Sequence, residues 1–235
     1  MLVSQPFLSI VMPVLDEQDG IVPALEALAG ARASGAEVVV VDGGSRDATR
    51  ALARPLADRV IEAPRGRARQ MNAGADAARA PWLLFLHADT RLPEGALAEV
   101  ESALRQPGRC WGRFDVRIEG RDPMLRVVAC AMNARSRWSG IATGDQALFA
   151  TREAFERAGR FPDIPLMEDV ALSRALKRIA RPACLRARVA TSGRRWERGG
   201  TLRTILLMWR LRLAYALGAD PHGLARRYGV ERTSS

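Results

Sequence analysis

Short apolar runs alternate with helix-periodic segments through the N-terminal part of the chain, and that alternation constrains the fold more than any other feature. Leu8 to Val14, Glu37 to Val41, Arg59 to Glu62 and Trp82 to Leu86 read as strands. Val38 to Val41 contains no polar residue, as a strand covered on both faces requires. Between them Ile21, Leu25 and Leu28 recur at helical spacing, while Asp47 to Leu56 and Arg67 to Ala78 predict two further helices. Each connection is short enough for a strand–helix–strand crossover. The expectation is an α/β fold with a Rossmann-like, mostly parallel sheet and flanking helices.

Beyond Pro93 the pattern is mixed. Leu97, Val100 and Leu104 mark a helix, Cys110 to Ile118 and Gln146 to Ala150 look like strands, Glu168 to Ile179 like a helix and Ala183 to Ala190 like a late strand. No repeat, low-complexity stretch or long linker divides the 235 residues, which fit one domain of roughly 200 residues plus an appendage. The expected organisation is a domain over 1–200, with halves of about 1–105 and 106–200, and a basic, apolar helical tail over 201–235 that frays from Glu231.

Apolar content of 48% and charged content of 26% exclude a disordered or fibrous chain. Cys110, Cys130 and Cys184 lack the paired spacing of a zinc or redox site and read as core thiols of a reducing compartment. Met1 to Phe7 carry no basic segment of the secretory kind, so a cytoplasmic location is expected. The formal charge of +10 is unevenly placed: residues 1–173 hold 21 arginines and 23 acids, and residues 174–235 hold 15 Arg or Lys against Glu197, Asp220 and Glu231. That distribution implies either an anionic partner for the last quarter or a bias toward arginine throughout, since Lys177 is the only lysine.

In doubly wound sheets ligands bind beyond the carboxyl ends of the strands. Three such ends carry acids here: Pro13-Val-Leu-Asp16-Glu17, Asp42-Gly-Gly-Ser45-Arg-Asp47 and His87-Ala-Asp89. Each has a plainer use as a glycine turn, a helix-start acid or a strand-end cap. The glycine patterns of dinucleotide and P-loop sites are absent, because Leu15, Asp16, Glu17 and Gln18 follow the first strand.

Those segments, followed in order by Arg65-Gly66 to Asn72-Ala-Gly74, Gly144-Asp145-Gln146, Glu168-Asp169 and Arg194-Arg195-Trp196, resemble glycosyltransferase family two with its GT-A fold. The resemblance spans about residues 8–200 and implies a nucleotide-binding first half and an acceptor-binding second half. It implies an inverting, divalent-metal-dependent transfer of a sugar from a nucleoside-diphosphate sugar to an acceptor hydroxyl of a glycan, lipid-linked or small-molecule acceptor. By the same resemblance Pro13, Glu17, Asp42 and Ser45 belong to the nucleoside side, and Arg65, Arg69 and Asn72 to the donor phosphates or the loop that holds them. Asp89 stands where the family's metal-binding acid stands and would hold Mg²⁺ or Mn²⁺ beneath the diphosphate. His87 replaces the first acid of that motif, a departure that bears on donor choice. Asp169 matches the general base, with Asp145, Gln146, Glu168, Arg195 and Trp196 on the acceptor side. Ser192-Gly193 stands where processive members carry a Gln before the Arg-Trp pair, which points to a single transfer rather than polymer synthesis.

Thr201 to Leu217 is apolar but interrupted by Arg203, Arg210 and Arg212, too short and too charged to span a bilayer. It reads equally as a helix at the inner face of the membrane, as one buried on the catalytic domain, or as a homodimer contact. Two other functions share part of this evidence. A nucleotidyltransferase would also use nucleotide and metal, but its glycine-rich, lysine-containing opening loop is absent. A non-enzymatic basic adaptor for membrane or nucleic acid would use only the last 60 residues or so; with the rim acids present, no nucleic-acid partner is expected.

Overall fold

The computed structural model describes residues 5–228, apart from the side chains of Arg195, Arg198 and Tyr228. In chain order the elements are β1 (Leu8–Val14), α1 (Ile21–Glu26), α2 (Ala29–Ala33), β2 (Ala36–Asp42), α3 (Thr49–Ala53), β3 (Arg59–Glu62), α4 (Arg67–Ala77), β4 (Trp82–Phe85), β5 (Thr90–Arg91), α5 (Ala96–Leu104) and β6 (Trp111–Glu119). There follow α6 (Met124–Ser139), a short 3₁₀ helix (Gly144–Gln146), β7 (Phe149–Thr151), α7 (Arg152–Arg157), α8 (Glu168–Ile179), β8 (Ala183–Ser192), α9 (Arg194–Gly199), α10 (Thr201–Ala216) and α11 (Pro221–Tyr228).

One eight-stranded sheet in the order β3-β2-β1-β4-β7-β6-β8-β5 organises the molecule. β3, β2, β1 and β4 are parallel, as the alternating pattern predicts. The apolar runs follow from burial on both faces. Ile10, Met12, Val38 and Val40 point into one core with α1 and α5, while Val11, Val39 and Val41 point into the other with Ala68, Met71 and Ala75 of α4. Gly74 lets α4 approach the sheet, since a Cβ there would lie 2.3 Å from Val11 Cγ1. Register then aligns the strand ends, with Val14 opposite Asp42 and Asp42 opposite Glu62, so the loops after β1 and β2 emerge side by side.

The second half departs from the sequence expectation. β7 inserts antiparallel between β4 and β6, and β6 pairs parallel with β8. The strand expected over Gln146 to Ala150 is confined to Phe149–Thr151, because Thr143 and Gln146 close a reciprocal cap around the 3₁₀ turn. The helix expected from Asp47 starts only at Thr49, since Asp47 Oδ1 accepts from the Thr49 N–H at 2.9 Å. The long helix α6 and the two-residue strand β5 were not expected.

The C-terminal helices are packed rather than free. Leu211 of α10 and Leu224 and Ala225 of α11 form a cluster with Leu166, Met167 and Val170. Among the described residues no helix is long and apolar enough to cross a membrane. The fraying expected from Glu231 concerns residues outside those described.

Candidate active site

The loops after β1 and β2 are locked together by backbone donors. The Asp16 N–H donates to Ser45 Oγ at 2.9 Å, the Glu17 N–H to Thr49 Oγ1 at 2.8 Å, and the Arg46 N–H to Asp16 Oδ1 at 2.8 Å. Asp16 adopts φ 52° to make this turn, a conformation Asp tolerates better than most residues. Beneath them the buried Gln70 of α4 donates from Nε2 to the carbonyls of Val14 and Val41, both at 2.8 Å. One side chain thus ties the two strand ends from which the rim acids grow.

Asp42 is fully buried, and its carboxylate accepts from the N–H groups of Gly44 (3.0 Å) and Ser45 (2.9 Å) and from the Ser45 hydroxyl. It shapes the loop from within. Glu17 is half-buried, and its carboxyl is pushed upward first by burial and then by the charge of Asp89, against the pull of Arg194. Asp89 itself is exposed at the turn after β4, with Oδ1 accepting from the Thr90 hydroxyl at 3.3 Å. Pro13 is half-buried on β1, opposite Val41.

Across the cleft the second half supplies a compact constellation. The His87 ring packs directly on Gly144, where a Cβ would come within 2.5 Å of Cε1, and His87 Nδ1 lies 3.6 Å from Asp145 Oδ1. The Gly144 N–H donates to Asp169 Oδ2 at 2.7 Å, and the Val170 N–H to Asp169 Oδ1 at 2.6 Å. Each oxygen of Asp169 keeps a further lone pair for a proton. Burial would raise the Asp145 carboxyl, but the His87 partner and the charges of Arg67 and Arg212 outweigh it and hold it below the usual range. Glu168 is buried, and burial followed by the Asp169 charge drives its carboxyl upward. Arg135 of α6 is brought down to about 10 by burial and by Arg212, while Asp169 pulls it the other way. Met71, Phe85, Leu148 and Phe161 enclose this constellation from the core side.

The other sequence-derived residues fall at varied distances from the cleft chemistry. Arg69 Nε pairs with both oxygens of Asp163 at 2.9 Å. Asn72 donates to the Phe161 carbonyl at 2.8 Å and accepts from the Phe161 N–H at 3.1 Å, so it holds that loop. Arg65 is exposed in the loop after β3. Gln146 is fully buried behind Asp145, within 3.4 Å of Asn133 Oδ1. Trp196 of α9 packs on the main core, and the side chain of Arg195 lies outside the described residues. Sequence reasoning missed Gln70, Thr49 and Arg67. Gln70 carried a readable signal, a polar residue on the inward face that also holds Ala68, Met71, Gly74 and Ala75; Thr49 carried none.

Among the described residues no three His, Cys, Asp or Glu converge as a metal cage. The donor set that is present, exposed Asp89 with Glu17 in electrostatic reach, fits a hard divalent cation that takes its remaining ligands from phosphate oxygens and water.

Comparison with known proteins agrees with this fold. A segment of 36% identity over 96 residues matches the PGL/p-HBAD biosynthesis glycosyltransferase of Mycobacterium tuberculosis, covering 38% of this chain and 38% of that protein. S. aureus TarS 1-349, solved with UDP-GlcNAc, superposes with a TM-score of 0.63 at 16% identity over 79% of this chain and 58% of that one. The mannosyltransferase PcManGT from Pyrobaculum calidifontis, solved with GDP-Man and Mn²⁺, superposes with a TM-score of 0.60 at 22% identity over 96% of this chain and 70% of that one. At these identities the solved structures establish the fold, which is GT-A. The description Glycosyl transferase family 2 matches residues 9–157, more than half of the sequence, and the chain belongs to that family.

Proposed function

We propose that this chain transfers a sugar from a nucleoside-diphosphate sugar to an acceptor hydroxyl, with inversion at the anomeric carbon and with Mg²⁺ or Mn²⁺ at Asp89. The observation that carries the proposal is the contact of His87 with Gly144. It joins the strand end bearing Asp89 to the backbone amide that holds Asp169, which supports reading Asp89 and Asp169 as leaving-group site and base of one cleft. The UDP-GlcNAc, GDP-Man and Mn²⁺ bound to the fold relatives support the donor class and the metal.

In this reading the locked loops of Glu17, Asp42 and Ser45, above Pro13, form the nucleoside rim. Arg65 and Arg69 border the diphosphate, and Asn72 holds the Phe161 loop beside it. A divalent cation held by Asp89 would offset charge on the diphosphate. His87 and Asp145 position the sugar and acceptor, with Glu168, Gln146, Arg195 and Trp196 building the acceptor wall. Asp169 takes the acceptor hydroxyl proton as the oxygen bonds to the anomeric carbon and the anomeric carbon–phosphate oxygen bond breaks. The nucleoside diphosphate leaves. A single displacement of this kind inverts the centre, and the missing Gln before Arg194 favours one transfer per acceptor.

Calorimetry with UDP, GDP and their sugars, with and without Mn²⁺, tests the reading. Binding to one nucleotide series should strengthen with metal, and Asp89→Asn should abolish that strengthening. No metal-enhanced binding in any series refutes the proposal. Asp169→Asn should keep donor binding and lower transfer by about 100-fold or more. Transfer at the wild-type rate would remove Asp169 from the base role.

A further inference from the structure

α10 is apolar on two opposite faces. One packs inward through Leu211, with Leu207, Met208, Ala214 and Tyr215, against Leu166, Met167, Val170 and α11. The other carries Leu202, Leu206, Trp209, Leu213 and Leu217, which are 67%, 59%, 73%, 62% and 79% exposed. Steps of four and three residues place all five on one stripe roughly 22 Å long at the α-helical rise. At its start the stripe meets α6, where Met124 lines the same shallow groove as Leu202 and the groove's Asp122 accepts from the Thr201 hydroxyl; Val127 and Trp138 are 60% and 92% exposed on one face of α6. Soluble monomers rarely leave so large a contiguous apolar surface in water.

The charges along this surface select its occupant. Arg203 and Arg210 are exposed along one edge of the stripe. Between Glu197 and Asp220 the sequence holds no acid. A second copy docked face to face would set these guanidinium groups against one another, whereas anionic headgroups would pair with them. Trp209 in mid-stripe suits the boundary between headgroups and acyl chains.

We propose that this face docks on an anionic lipid bilayer, with α10 lying in the headgroup plane and its Leu202–Leu217 stripe turned into the acyl boundary. The helix does not span. The surface is independent of the glycosyl-transfer reading, because none of its residues belongs to the cleft.

Co-sedimentation of the full chain with vesicles of phosphatidylcholine alone, or mixed with phosphatidylglycerol, tests it. The wild type should pellet with the anionic vesicles, stay in solution with the neutral ones, and be released by salt. Trp209→Gln with Leu213→Gln should weaken partitioning by about tenfold or more. Arg203→Gln with Arg210→Gln should weaken it by about fivefold per arginine. All four positions are exposed, so the circular dichroism spectrum and nucleotide binding of each variant should match the wild type. A wild type that stays in solution with both vesicles, or binds both equally, overturns the proposal. So does a dimer in light scattering that the Trp209/Leu213 variant converts to monomer while vesicle binding is unchanged, an outcome that assigns the face to a second copy.

Discussion

Gly144→Ala is the most incisive single change to this cleft. The backbone tolerates alanine there, because Gly144 is not among the residues with positive φ. The new methyl would lie 2.5 Å from His87 Cε1 and 2.7 Å from Nε2. Ordinary carbon contacts begin near 3.5 Å, so the ring must retreat by about 1 Å. The imidazole is only 14% exposed and lies 3.6 Å from Asp145, so it cannot retreat without leaving that partner or displacing the Gly144 amide that holds Asp169. Overpacking of this kind costs about 1–3 kcal/mol, which lowers Tm by about 2–4 °C per kcal/mol in a chain of this size. Misplacing a reacting group by about 1 Å can cost roughly 100-fold in kcat, so the catalytic loss should far exceed the stability loss. Thermal melts and steady-state transfer rates read the two effects, and a cycle with His87→Ala separates them. Removing the ring makes room for the methyl, so the double variant should be more stable than the sum of the single changes by about 1 kcal/mol. Gly144→Ala with wild-type kcat, or strict additivity with His87→Ala, refutes the idea that this contact sets the cleft.

Two other expectations concern the supports of the site. Gln70→Leu keeps most of the volume but removes both 2.8 Å donors to Val14 and Val41. At about 1 kcal/mol per hydrogen bond the urea midpoint should fall by the equivalent of about 2 kcal/mol, and nucleotide binding should weaken with it; an unchanged midpoint refutes the bridging role. Burial, then the Asp169 charge, raises the Glu168 carboxyl, so its proton stabilises the fold. That contribution is complete below the unfolded value, near 4.5, and is lost as pH rises through the folded value. The Tm advantage of Glu168→Gln over wild type should therefore be absent in acid and grow toward neutral pH, and a pH-independent difference between the two refutes it.

What was legible in the sequence follows the range of the interactions. Val38 to Val41 declares a doubly covered strand within four residues, and Glu168 to Ile179 keeps its helical period without help from other segments, so β2 and α8 were readable from local pattern. β7 was misjudged because only three residues are extended, and they are held by pairing with β4 and β6 rather than by composition. Helix α6 was missed for a related reason: its outer face carries Val127 and Trp138, so apolar residues surround it and blur the period.

The same distinction explains the site. The acids at the ends of β1, β2 and β4 were legible because the parallel topology alone sends those ends to one rim. Their individual duties were not, because duty depends on partners far along the chain. Asp42 accepts from Gly44 and Ser45 within its own loop, and Asn72 braces Phe161, 89 residues away. His87 shows both sides of this. As a departure from an acidic motif it pointed to donor selection, yet its neighbours are Gly144 and Asp145 of the opposite half. A carboxylate at position 87 would stand against Asp145, two like charges in a confined cleft, whereas the imidazole can pair with it. The histidine at position 87 and the lowered Asp145 carboxyl are therefore one feature: the imidazole favours an ionised Asp145 beside the strand that carries Asp89.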